Sequence, residues 1–256
     1  MIIARRFLAI LLLALLGLVA CTSGGSVPAT VLDGWPVALR TEPGLTPQIQ
    51  QEMMDHADEI LRDAAEAERW ITPSLEYLTQ VRGGRLEGLE HRLKGRESLI
   101  RKIYTRWNRD RSVSPGDIKI DDSVRYLLVV NDSPLGHTDK SIQEILAIME
   151  GIGHEVVLIK NYWPPGDDYS GVNGVLRAPN GTLWELQFHT DRSLEAKDRV
   201  HPIYEVYRLP NTSQKMKRDL YHQMTEIWRQ VPIPDGILEP ISLHPKEEII
   251  QNPLPQ

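Results

Sequence analysis

Residues Val172 to Thr190 read VNGVLRAPNGTLWELQFHT, two short strand patterns around Pro179-Asn180-Gly181. Asn-Gly between apolar runs is a strong hairpin signal, because both central positions of the matching turn need positive φ. In the second run, Leu183 to Thr190, alternation puts Trp184, Leu186 and Phe188 on one face and Glu185, Gln187 and His189 on the other. A strand with one apolar face and one Glu-Gln-His face covers a core on one side and lines something polar on the other.

Working outward, a strongly apolar strand is expected from Val124 to Val130, apolar on both faces except for Arg125, with Asp122 just before it. A further strand is expected near Glu155 to Lys160, and another near Arg85 to His91. Helical periodicity covers Gly95 to Trp107, Lys140 to Glu150, Ser193 to Tyr207 and Ser213 to Arg229. Before these, Met53, Ala57, Ile60, Leu61, Ala64 and Ala67 recur at three- and four-residue steps, predicting an amphipathic helix from Gln48 to about Trp70. A second, short helix is expected over Ser74 to Val81. Strands interleaved with helices around an apolar strand predict a mixed α/β (α+β) sheet flanked by helices at both ends of the chain.

Composition bounds the rest. The chain has 256 residues, 29 Lys and Arg against 35 Asp and Glu, and a net charge of −6. That balance excludes a general binder of duplex DNA, so any anion site is local. Residues 1–20 hold no acid, carry Arg5 and Arg6, and run apolar from Phe7 to Ala20, which reads as a signal peptide. Leu18-Val19-Ala20-Cys21 resembles the lipobox of bacterial lipoproteins, in which the cysteine is lipidated after cleavage. An ordinary secretory leader with an incidental cysteine is the alternative. Cys21 is the one cysteine in the chain, so no intramolecular disulfide forms. The expected organisation is a leader over 1–20, a lipidated Cys21 and tether over 21–47, one folded domain over 48–231 and a proline-rich tail over 232–256. The localisation this implies is the cell envelope, anchored to a membrane by lipid.

Between Arg82 and Arg111 stand ten basic residues against four acids. Lys94, Ser98 and Lys102, spaced by four, fall on one side of a helix, with Leu99, Ile100, Ile103 and Trp107 opposite. Two ammonium groups and a hydroxyl at a helix start suit a polyphosphate, and a solvated basic face is the alternative. Asp122 and Glu185 border or interrupt apolar strands. Two carboxylates on neighbouring strands can hold Mg²⁺ against nucleotide phosphates, or one can take a proton from an attacking hydroxyl. The alternative is that both pair with arginines, Asp122 with Arg125 in particular. Tyr169, after a turn-rich loop, can stack on a base or pack at a rim. His189 and His201 have no third ligand at zinc-like spacing.

Arg92-x-Lys94-x-x-x-Ser98-x-x-x-Lys102 resembles, in type and spacing, the ATP-binding segment of the RelA/SpoT alarmone synthetase domain. Asp122 with Arg125 resembles that family's metal-binding block, Tyr169 to Asn173 its acceptor-stacking segment, and Glu185 to Thr190 its catalytic glutamate strand. The resemblance spans about Gly83 to Tyr207. It implies a nucleotidyltransferase-like fold that moves the β,γ-pyrophosphate of ATP to a 3′-hydroxyl, on a guanosine or adenosine nucleotide or an RNA 3′ end. Carried over by position, Arg92, Lys94, Ser98, Lys102 and Arg125 bind ATP, and Asp122 and Glu185 are catalytic and hold Mg²⁺. Tyr169, Asn173, Gln187, His189 and His201 face the acceptor. Asn173 and His189 stand where the family usually has histidine and arginine, which marks the acceptor side as the part that differs. A non-catalytic nucleotide- or protein-binding lipoprotein with the same fold is the other reading.

Overall fold

The structure is a computed structural model; it describes residues 33–42, 44–130, 138–164, 169–209 and 211–241. The leader, Cys21, the tether as far as 32, the loop 165–168 and the tail 242–256 lie outside the described residues.

Helix α1 runs from Pro47 to Arg82. Thr46 caps it, its hydroxyl accepting from Ile49 N at 3.2 Å, and Pro47 sits in the first turn, where its missing N–H costs nothing. The expected break between Trp70 and Ser74 does not occur, and Pro73 lies inside one continuous helix. Ile71, Leu75 and Leu78 prolong the buried stripe of Ala64 and Ala67, so packing holds the backbone helical through a proline that faces solvent. The next strand, β1 (Arg85–Glu87), is shorter than expected. Gly88 turns left-handed at φ 62°, and Leu89–His91 coil into a single 3-10 turn.

After α2 (Arg96–Arg109) come β2 (Val124–Val129), α3 (Thr138–Gly151), β3 (Glu155–Asn161), β4 (Val172–Arg177) and β5 (Leu183–His189). Helices α4 (Asp191–Tyr207) and α5 (Gln214–Arg229) close the order. The five strands form one mixed sheet in the order β1-β2-β5-β4-β3. β2 and β5 are parallel, and the other pairs, the expected β4–β5 hairpin included, are antiparallel. Val124, Tyr126 and Leu128 share a buried face with Trp184, Leu186 and Phe188, packed on Ile71 and Leu75 of α1 and on Ile142 and Leu146 of α3. This is the main core.

A second core lies between α1 and α2, where Met53 and Ala57 meet Leu99, Ile100 and Ile103. Trp35 and Leu39 are buried in it, and Glu42 accepts from the Tyr104 hydroxyl at 2.6 Å. This end of the stretch read as a tether therefore packs as part of the fold. So does the start of the tail: Ile237 and Ile241 are buried in the main core, and Asn161 Nδ2 donates to Ile237 O at 2.6 Å. Among the described residues no helix is long and apolar enough to cross a membrane.

Candidate active site

The sheet's other face is polar for a reason visible in its register. Arg125 pairs with Glu185 across β2–β5, and Asn173 with Gln187 across β4–β5, so side-chain alternation collects these residues with His189 on the face opposite the main core.

At one edge of this face the segment before α2 runs beside the start of β2. Arg125 N donates to Arg92 O at 2.8 Å and Lys94 N to Ser123 O at 2.9 Å. Lys94 thus stands outside the helix rather than on a shared helical face, and the backbone ladder brings it to Asp122. Lys94 Nζ lies 2.9 Å from Asp122 Oδ2 and Lys102 Nζ 2.7 Å from Asp122 Oδ1. Asp121 completes the cluster, 3.1 Å from Lys102 and 2.7 Å from Arg106. The pairing of Asp122 with Arg125 is absent: the lysines take the carboxylate instead. Burial of Asp122 disfavours its charge, but the two lysines outweigh that and hold its pKa below the usual carboxylate value. Asp121 is lowered in the same way, by Lys102 and Arg106 against burial.

Glu185 is held by neutral amides. Its Oε1 accepts from Asn173 Nδ2 at 3.1 Å and its Oε2 from Gln187 Nε2 at 2.9 Å. Burial raises its pKa above the ordinary glutamate value; Arg125 draws it back and Asp122 pushes it further up. Beyond it, the Tyr169 hydroxyl reaches His189 Nε2 at 2.8 Å and Asn173 Oδ1 at 3.2 Å. The Tyr169 ring meets Tyr162, His189 and Trp228 edge-on at centroid distances of 5.3, 5.5 and 5.3 Å. Its hydroxyl is tied inward and its ring is packed on three sides. Burial raises the Tyr169 pKa, so the phenol stays protonated.

Lys94, Lys102, Asp122, Arg125, Asn173, Glu185, Gln187, Tyr169 and His189 thus occupy one face. The other candidates have partners of their own. Arg92 Nε donates to Glu68 Oε1 of α1 at 2.6 Å, Ser98 Oγ accepts from Arg101 at 3.1 Å, and His201 lies exposed 3.7 Å from Glu205. One functional candidate escaped the sequence reading: Lys197 of α4, half-buried, whose charge acts on His189 and is acted on by Arg125 and Glu185. The signal was there in spacing. Lys197 lies four residues after Ser193 and next to Ala196 on the stripe that α4 buries.

The donors fit a small hard cation. Both carboxylates offer oxygen, and although Lys102 Nζ is near, no hydrogen bond among the described residues is aligned on the buried Asp122 Oδ1. No group of three His, Cys, Asp or Glu gathers among the described residues, so substrate oxygens would complete the shell.

The five-stranded mixed sheet flanked by helices has the fold of a small alarmone synthetase, with a lysine-bound aspartate and a buried glutamate on its polar face. No protein-family model and no curated protein matches the sequence. Among solved structures, the small alarmone synthetase 1 of Bacillus subtilis bound to its product pppGpp matches with TM-score 0.50 and 16% identity, over 68% of this chain and 92% of that one. At that score the likeness fixes the fold, and at that identity it fixes nothing more. The type VI effector Tas1, in complex with its immunity protein, matches with TM-score 0.44 and 20% identity over 68% of this chain and 95% of that one. A GTP pyrophosphokinase family protein of Streptococcus pneumoniae matches with TM-score 0.43 and 14% identity over 73% and 90%.

Proposed function

We propose that the protein transfers the β,γ-pyrophosphate of ATP to the ribose 3′-hydroxyl of an acceptor nucleotide, and that it does so as an exported protein anchored by a lipid on Cys21. The observation that carries the reaction is the meeting, on one sheet face, of the Lys94–Asp122–Lys102 cluster with a Glu185 whose oxygens are both set by neutral amides. Pyrophosphoryl transfer needs charge neutralisation and in-line placement more than covalent chemistry. Lys94 and Lys102, released from Asp122, bind the phosphates, and Asp122 would hold Mg²⁺ together with phosphate oxygens, with Glu185 beside it. When bound, that ion neutralises charge on the phosphate oxygens. The acceptor oxygen attacks the β-phosphorus, the bond from that phosphorus to the bridging oxygen of the α-phosphate breaks, and AMP leaves. Glu185 accepts the hydroxyl proton, a role suited to a carboxylate whose pKa burial has raised.

The test is to incubate the protein with Mg²⁺ and γ-labelled ATP, offer GDP, GTP, ADP, ATP and tRNA separately, and resolve the products. Label on an acceptor with one AMP released per transfer supports the reading. Release of ADP and phosphate alone would contradict it.

A further inference from the structure

Lys94 reaches Asp122 from a segment that belongs to no helix and no named strand. Arg92 to Gly95 follow the 3-10 turn Leu89–His91 and precede α2. On one side β2 holds their backbone, through Arg125 N to Arg92 O, Lys94 N to Ser123 O and the bridge of Leu93 with Val124. The start of α2 is poorly secured by its own residues. Gly95 at the N-cap has no side chain to hold it, and Arg96 puts a cation in the first turn, where the helix dipole disfavours one.

Helix α1 grips both ends of this segment. Glu68 Oε1 accepts from Arg92 Nε at 2.6 Å, and the Asp58 carboxylate takes Arg96 bidentately, Nε to Oδ1 at 2.6 Å and a terminal nitrogen to Oδ2 at 3.0 Å. Asp58 and Glu68 stand ten residues apart, about 15 Å along the helix, and the four steps from Arg92 to Arg96 span about 14 Å when extended. The spacing of the acids thus matches the reach of the segment. Glu68 is fixed in turn: its Oε1 also accepts from Thr72 Oγ1 at 2.7 Å, and that hydroxyl meets the hydroxyl of Tyr126 in β2. Neither acid belongs to the buried stripe that packs α1 on the cores, and ion pairs this exposed add little to stability. What they fix is the place of the segment between them, and Lys94 lies at its middle.

We propose that Glu68 and Asp58 are positioning residues, which clamp the Arg92–Arg96 segment to α1 so that Lys94 stands ready for the donor phosphates. That Lys94 meets donor phosphates rests on the transfer reading above; the clamp itself does not. Both acids act through Lys94 rather than on the nucleotide.

The test uses the full chain in detergent and has two readouts. Hydrogen exchange reads the clamp: in Glu68→Ala and in Asp58→Ala the amides from Leu93 to Glu97 exchange about ten-fold faster or more, while those of β5 keep their protection. Calorimetric titration with ATP and Mg²⁺ reads its consequence. Each variant binds about five-fold or more weakly, and Glu68→Gln, whose amide oxygen still accepts from Arg92, stays within about two-fold of the wild type. In a Lys94→Ala background the Glu68→Ala loss shrinks below about two-fold, a coupling that a merely structural role does not produce. In transfer assays the same loss appears in the ATP KM, with kcat and the acceptor KM within about two-fold. Asp58→Ala carries the test alone if Glu68→Ala fails to fold. Unchanged exchange in both variants overturns the clamp. Unchanged ATP affinity in both, or an undiminished loss in the Lys94→Ala background, overturns its action through Lys94. Faster exchange in a protein that binds no ATP, or whose ATP affinity ignores Lys94→Ala, sustains the clamp and sinks the transfer reading.

Discussion

At the scale of single residues, His189 is held by the cap of α4. Thr190 N donates to Ser193 Oγ at 2.9 Å, and Ser193 Oγ donates to Thr190 O at 3.2 Å. His189 Nδ1 lies 2.9 Å from that serine oxygen and Nε2 2.8 Å from the Tyr169 hydroxyl, so both ring nitrogens have partners inside the fold. The ring is neutral, its pKa pushed down to about 3 by burial and by Lys197. His154, which accepts from Trp184 Nε1 at 3.2 Å, is lowered by burial as well. Unfolding frees both rings to protonate near pH 6.5, so between about 3 and 6.5 the unfolded chain binds more protons and stability is lost as pH falls. Urea midpoints at about pH 7 and about pH 5.5 check this: each ring adds a slope of up to about 1.4 kcal/mol per pH unit, and His189→Gln flattens the dependence. An unchanged slope in that variant would contradict the buried neutral ring. Glu185 acts oppositely: burial raises its carboxyl, so its ionisation weakens the fold as pH rises.

At the scale of elements, the reading of the sequence succeeded where local chemistry and tertiary packing agree. Asn180-Gly181 announced the β4–β5 hairpin, and the alternation of Leu183 to Thr190 announced its two faces. It failed where packing overrides a local signal. Pro73 reads as a helix end, yet Ile71, Leu75 and Leu78 bury on the same core and carry α1 through it. The proline therefore leaves an avoidable defect on an exposed side. Pro73→Ala is expected to stabilise the fold by about 1 to 2 kcal/mol, the recovered hydrogen bond and removed clash less the entropy gained by the unfolded chain. A higher urea midpoint with an unchanged m value is the result that checks it. The candidate site was legible to the same degree. Lys94, Lys102, Asp122 and Glu185 stood out by spacing or by interrupting apolar runs, whereas Lys197 looked like any helical surface lysine until α4 was seen to lie over the polar face.

At the scale of the whole molecule, a folded domain beginning by Trp35 leaves only a short stretch between it and Cys21. In the proposed lipoprotein, that stretch holds the domain close to the membrane surface. Cys21→Ser is expected to move the protein from the membrane fraction to the soluble fraction and to abolish incorporation of labelled palmitate, with transfer activity unchanged. Persistence in the membrane fraction with no label in the wild type would remove the lipid from the account. The proposed chemistry is independent of the anchor and turns on Glu185, whose oxygens are oriented by two amides on the face that holds the Lys94–Asp122–Lys102 cluster. The decisive measurement is pyrophosphate transfer by Glu185→Gln, made together with its equilibrium affinity for ATP. The account predicts that transfer falls by about 1,000-fold or more while ATP affinity stays within about three-fold, since the glutamine keeps the shape of the side chain and loses its basicity. Transfer undiminished in Glu185→Gln would contradict it.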